Sequence, residues 1–219
     1  MTRVPLEGTL RLVVILDTDA ARGRDLARLG VAATRGGATM LQLRGKSLAA
    51  GALADLARGI LAATAGAPLV VNDRLDVALA CGAAGCHLGQ EDFSIAEARR
   101  QAPPGFLLGG SAGSVEEARR AREEGADYLG IGPVRATGSK QDAGAPIGVE
   151  EFRRILAAGS LPGVAVGGLT LRDVPELLAA GAAGVAVIGA VLGAPDVEVA
   201  TRELRKALDA ESSRLKAQR

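Results

Sequence analysis

The doublet Gly-Ala recurs four times in one setting, closing a helix-prone stretch and standing just ahead of an apolar run. Gly37-Ala38 precedes Met40-Leu41-Gln42-Leu43, and Gly82-Ala83 precedes Cys86-His87-Leu88-Gly89. Gly125-Ala126 precedes Tyr128-Leu129-Gly130-Ile131-Gly132, and Gly181-Ala182 precedes Val185-Ala186-Val187-Ile188-Gly189. The doublets stand 43 to 56 residues apart, and one strand-plus-helix unit of a closed α/β barrel takes about 25–30 residues. Each interval therefore has room for two such units, and the chain for eight.

The strands needed between the doublets are present. Leu12–Asp17, Leu69–Asn72, Phe106–Gly110 and Gly163–Val166 are short apolar runs bounded by turn residues, as expected of parallel strands covered on both faces. Ser114 with Glu117, and Ser94 with Glu97, have the spacing of capping boxes. They predict helices over Val115–Glu124 and Ile95–Gln101, the first stopped by Gly125. Strand and helix alternate without a linker or a shift in composition. The expected fold is α/β, a single (β/α)8 TIM barrel over residues 1–219, with 1–10 as an N-terminal extension and 196–219 as a C-terminal helix with a frayed end. An open doubly wound sheet would place a glycine fingerprint after its first strand. That place holds Asp17-Thr18-Asp19.

Composition removes several function classes. Lys and Arg number 26 against 25 Asp and Glu, so a nucleic-acid partner held by phosphate neutralisation is not expected. One Tyr, three Phe and no Trp are too few to build stacking platforms for single strands. Cys81 and Cys86 make no disulfide framework, which fits a reducing, cytoplasmic setting. Met1 to Gly8 lacks the basic-then-apolar order of a signal peptide. Leu177 to Pro195 carries no charge and approaches a spanning length, yet it contains Gly181, Gly184, Gly189 and Gly193 and ends in proline. It reads as helix end, turn, buried strand and turn, and no membrane partner is expected.

Barrels of this kind place their chemistry at the C-terminal ends of the strands. The polar residues of this chain gather there, in two zones. Gly167-Gly168 and Gly189 follow strands 7 and 8, where backbone N–H groups often bind phosphate. Opposite stand the cations Arg44, Lys46 and Lys140 with the carboxylates Asp73 and Asp92. A Mg²⁺ ion takes one or two carboxylates plus substrate phosphate oxygens, and such cations offset diphosphate charge. Two phosphorylated small-molecule substrates, or one bisphosphate, are implied. His87, the only histidine, reads as structural, and Asp76 as a helix-capping or solvated acid. Arg135 to Pro146, rich in glycine and polar residues, is a candidate mobile lid.

The set Gln42-Leu43-Arg44-x-Lys46, Asn72-Asp73, His87-Leu88-Gly89-Gln90-Glu91-Asp92, Ser111, Gly132-Pro133-Val134, Thr137-x-Ser139-Lys140 and Gly167-Gly168 resembles the thiamine-phosphate synthase family, from about Leu12 to about Leu192. The resemblance implies a Mg²⁺-dependent transferase of thiamine biosynthesis. Such an enzyme condenses 4-amino-5-hydroxymethyl-2-methylpyrimidine diphosphate with 4-methyl-5-(2-hydroxyethyl)thiazole phosphate, plain or carboxylated, and releases diphosphate. By position, Gln42, Arg44, Lys46, Asn72, Ser111 and Lys140 match the pyrimidine diphosphate site, with Lys140, Arg44 and Ser111 as the catalytic set. Asp73 and Asp92 match the Mg²⁺ ligands, and Thr137, Ser139, Gly168, Ile188 and Gly189 the thiazole phosphate site. A homodimer is left open. This chain departs from the family pattern with Arg135 in place of an aromatic, Ser139 in place of a second threonine and Gly189 in place of a serine. A thiazole tautomerase of the same fold and a catalytically idle thiamine-phosphate-binding homologue are the alternatives. A sugar-phosphate isomerase or epimerase would need a general base on a strand end, with His87 or Glu91 available.

Overall fold

The computed structural model describes residues 6–64, 66–138 and 144–218. The strands are β1 (Leu12–Asp17), β2 (Met40–Arg44), β3 (Leu69–Asn72), β4 (Gly85–Leu88), β5 (Leu107–Ala112), β6 (Tyr128–Ile131), β7 (Gly163–Val166) and β8 (Gly184–Val187). They pair in chain order, all parallel, and the ring closes where Leu12 of β1 lies opposite Val185 of β8. Around them run α1 (Leu6–Thr9), α2 (Leu26–Gly36), α3 (Ala50–Ala63), α4 (Leu75–Cys81), α5 (Ile95–Gln101), α6 (Val115–Glu123), α7 (Gly148–Gly159), α8 (Val174–Ala179), α9 (Gly189–Leu192) and α10 (Val197–Ala217). This is the expected (β/α)8 barrel. Most of its strands read as largely apolar runs because helices cover the outside and side chains fill the inside. Every residue of β1, β2 and β3 is buried. Among the described residues no helix is long and apolar enough to cross a membrane.

The Gly-Ala repeat has a local cause. Gly37, Gly82, Gly125 and Gly181 all adopt positive φ, between 73° and 102°, a conformation nearly free of cost for glycine alone. At each, the glycine N–H and the following alanine N–H donate to carbonyls of the helix just ended. Gly37 N–H reaches Thr34 O and Ala38 N–H reaches Ala33 O, both at 3.0 Å. The same paired bonds recur at Gly82-Ala83, Gly125-Ala126 and Gly181-Ala182. This is a Schellman stop. The next amide then joins the preceding strand: Thr39 N–H to Leu12 O, Ala84 to Leu69, Asp127 to Leu108 and Ala183 to Gly163, at 2.7–2.9 Å. One motif thus ends four helices and launches the even-numbered strands β2, β4, β6 and β8.

Several boundaries differ from the sequence reading. α6 ends at Glu123, and β5 runs from Leu107 to Ala112 rather than from Phe106 to Gly110. β8 stops at Val187, and Gly189 opens the one-turn helix α9 instead of closing the strand. The two serine caps form, with Ser114 and Ser94 Oγ each accepting from the amide three residues on at 3.2 Å. Their glutamates do not complete a reciprocal box. Glu117 accepts from Gly113 N–H at 2.6 Å, and Glu97 accepts from the Ser94 hydroxyl. The reciprocal box lies at Thr170 and Asp173, at the 3-10 turn ahead of α8.

Candidate active site

The C-terminal ends of the strands surround a cavity of about 760 Å³. Arg44, Lys46, Asn72 and Asp73 line it from β2 and β3, Asp92 and Ser111 from β4 and β5. Thr137, Gly168, Ile188 and Gly189 line the other side. Ten of the residues given a catalytic, binding or metal role in the sequence therefore meet in one space. Gln42 is not on that wall. It lies two residues below Arg44 on β2 and is only 4% exposed. Ser139 and Lys140, with the central part of the candidate lid, fall outside the described residues.

The two acids are placed by backbone, not by helix register. Asp73 follows β3 in a left-handed conformation, φ 66°, with its amide donating to His87 O at 2.8 Å. The short polar side chain of Asp tolerates that region better than most residues. Asp92 is fixed by the Gly89 N–H, which donates to Oδ2 at 2.7 Å. The two carboxyl groups come within hydrogen-bonding reach of each other. Burial, then the hydrogen bond and the charge of Asp92, push the Asp73 carboxyl up from 3.8 to about 6, while Lys46 and Arg44 pull it down. Two facing carboxylates resist joint ionisation unless a cation sits between them. Among the described residues no group of three or more His, Cys, Asp or Glu gathers. The donor set is thus two hard oxygen ligands beside an open cavity, which fits Mg²⁺ completed by substrate oxygens and water better than a closed zinc centre. Asp76 stands apart from it, paired with Arg74 at 2.6 and 2.9 Å.

The glycine sector has a packing reason as well as a chemical one. Gly167 and Gly168 carry φ of 93° and 65°. A Cβ on Gly168 would lie 2.2 Å from Ala136 O. The β6–α7 loop presses against this turn, with Val134 N–H on Val166 O and Arg135 N–H on Gly167 O at 2.8 and 3.0 Å. Arg135 does not face the cavity. Its guanidinium donates to Asp173 Oδ1 at 2.8 Å and to Glu176 Oε2 at 2.7 Å, tying the loop that carries Thr137 to the start of α8. Burial works to raise the Asp173 carboxyl, but hydrogen bonds from Arg135 and Thr170 hold it below its ordinary value.

His87 is buried inside the barrel, where the missing side chains of Gly109 and Gly130 make room for it. Its Nδ1 lies 3.2 Å from the Tyr128 hydroxyl and its Nε2 3.1 Å from Ser111 Oγ. His87 is not among the residues lining the cavity, but it contacts a hydroxyl that is. Both cysteines are free thiols. Sequence reasoning gave no role to the cavity residues Gln90, Ala136 and Thr170. Gln90 could have been found, since it lies within the motif after β4 and its side-chain amide donates to Ser111 O at 2.7 Å. Ala136 carries no polar group to mark it.

Fold and rim together define a (β/α)8 barrel whose mouth is acidic and cationic on one side and glycine-walled on the other. Residues 12–191 match the family model described as thiamine monophosphate synthase, and the chain belongs to that family. It is 53% identical to a thiamine-phosphate synthase of Methanoculleus marisnigri, over 89% of this chain and 93% of that protein. It is 50% identical to one of Moorella thermoacetica, over 89% and 94%. The thiamine phosphate pyrophosphorylase of Pyrococcus furiosus superposes with a TM-score of 0.86 at 39% identity, covering 94% of this chain and 99% of that one. A 3-hexulose-6-phosphate synthase, TM-score 0.72 at 20% identity, shares the fold alone.

Proposed function

We propose that this chain is a thiamine-phosphate synthase. It transfers the pyrimidinylmethyl group of 4-amino-5-hydroxymethyl-2-methylpyrimidine diphosphate to the nitrogen of 4-methyl-5-(2-hydroxyethyl)thiazole phosphate. The exocyclic C–O bond breaks, its electron pair leaving on diphosphate, and the C–N bond to the thiazole forms. The observation that carries this reading is the paired acids Asp73 and Asp92 in the same cavity as Arg44 and Lys46, with the Gly168 and Gly189 backbone across the mouth.

When bound by Asp73 and Asp92, Mg²⁺ would supply charge stabilisation to the departing diphosphate. Arg44 and Lys46 bind the remaining phosphate oxygens, Arg44 with a fork suited to two of them. Ser111, held by His87, offers a hydroxyl to the same anion. Asn72, 7% exposed, fixes the pyrimidine end. Across the cavity, the Gly168 and Gly189 amides and the Thr137 hydroxyl hold the thiazole phosphate, so that its ring nitrogen meets the methylene carbon in line. Ser139 and Lys140 join this account through the sequence resemblance alone. No protein nucleophile is required, because the aminopyrimidine ring stabilises positive charge on the carbon that loses diphosphate.

The test is to incubate the purified protein with both substrates and Mg²⁺ and to follow diphosphate release together with thiamine phosphate by mass spectrometry. Release that depends on thiazole phosphate and on the cation supports the reading. A folded protein that releases none refutes it.

A further inference from the structure

Asp17, the last residue of β1, stands beside Arg44, the last residue of β2, in the barrel register. Asp17 is 1% exposed and Arg44 6%. Arg44 Nη1 donates to Asp17 Oδ2 at 2.6 Å. The other carboxylate oxygen, Oδ1, accepts from Ala20 N–H at 2.8 Å and Asp19 N–H at 3.1 Å. The acid is therefore locked by its own loop on one side and holds the guanidinium on the other. Arg44 lines the main cavity, whereas Asp17 lines an adjoining one of about 630 Å³ that shares Gly138 and Gly189 with it. Asp17 is thus not among the residues that line the main cavity, and its contact there is with Arg44.

We propose that Asp17 is a positioning residue for the diphosphate-binding arginine: it fixes which guanidinium N–H groups face the cavity and offsets the charge of Arg44 until the anionic substrate arrives. The inference rests on the reading of Arg44 as a diphosphate ligand. A buried ion pair is a costly means of stabilising a fold, and an aliphatic pair would fill the β1–β2 wall without that desolvation. Its use here is geometric. Arginine has several rotatable bonds, and a bidentate grip on phosphate needs its plane held in one orientation. Asp17 removes that freedom before binding, which is preorganisation.

Asp17→Asn separates this role from loop capping, because the Asn oxygen still accepts the Asp19 and Ala20 amides while the charge on Arg44 goes unanswered. The expected result is a KM for the pyrimidine diphosphate about tenfold higher, with KM for the thiazole phosphate within about twofold of wild type. General loosening of the barrel mouth would move both. In a double-mutant cycle, Asp17→Asn added to Arg44→Ala changes KM by less than about twofold, because the positioned group is gone. A single variant indistinguishable from wild type, or effects that multiply with those of Arg44→Ala, overturns the proposal. If Asp17→Asn does not fold, Asp17→Glu carries the test. It keeps the charge but displaces it by one methylene, and a KM raised about fivefold is expected, an unchanged KM overturning the idea. Calorimetric titration with inorganic diphosphate and Mg²⁺ separates the two levels. If the wild type binds diphosphate but makes no thiamine phosphate, the proposed reaction fails while the Asp17–Arg44 coupling is still read from affinity. A wild type that binds no diphosphate overturns both.

Discussion

Replacing Asp73 by Asn should make the metal-free protein more stable while abolishing its activity. The half-buried Asp73 carboxyl is pushed up from 3.8 to about 6 by burial and by Asp92 facing it. Its folded-state value is raised above the unfolded one. The native state is therefore favoured fully below pH 3.8, and that advantage drains away as pH rises through 6. Above that window the ionised pair strains the rim. At about 1.4 kcal/mol for each tenfold change in acidity, the displacement corresponds to about 3 kcal/mol, and partial exposure with solvent screening lowers this to about 1–2 kcal/mol. Asn removes the charge, can donate to Asp92, and tolerates the left-handed backbone at this position (φ 66°). For a chain of this size, a gain of that order raises Tm by about 2–8 °C. The assay is thermal unfolding with chelator present. The variant should gain at pH 8, show no gain at pH 3.5, and lose its advantage at pH 8 when Mg²⁺ is added to the wild type. A Tm at pH 8 equal to or below wild type in chelator would refute the reasoning, since the two acids would then not oppose each other.

Gly109→Ala should be severe: the new Cβ would lie 2.3 Å from Tyr128 Cζ and 2.4 Å from His87 Nδ1, and overpacking a closed interior costs about 3 kcal/mol. Urea unfolding checks this, and a change below about 1 kcal/mol would contradict the packing described. Arg135→Ala removes two partly exposed ion pairs and should cost about 1 kcal/mol at pH 7. That difference should vanish as pH falls through the lowered value of Asp173, which denaturant midpoints at pH 7 and pH 2.5 would show. Gly189→Ser restores the hydroxyl that the family pattern carries at the start of α9; one added hydrogen bond, about 1 kcal/mol, should lower KM for thiazole phosphate about fivefold in steady-state assays.

The barrel is legible along the chain because its signals are local. A Schellman stop needs only a glycine at positive φ and carbonyls within the preceding turns, so Gly37, Gly82, Gly125 and Gly181 could be read without any tertiary contact. Buried strands announced themselves as apolar runs, and the right-handed parallel crossover left one way to close them. The residues of the rim were legible too, since each sits at the end of such a run. Their partnerships were not. Asp17 meets Arg44, Asp73 meets Asp92, His87 meets Ser111 and Tyr128, and Arg135 reaches Asp173 and Glu176. Each pairing joins different elements of the barrel, and its geometry depends on strand register around the closed ring and on where each loop docks. An aromatic and an arginine at position 135 look like alternatives in sequence, yet only packing shows that this arginine turns outward to α8. A side chain's identity is local information, whereas the group it faces is set by closure of the whole sheet.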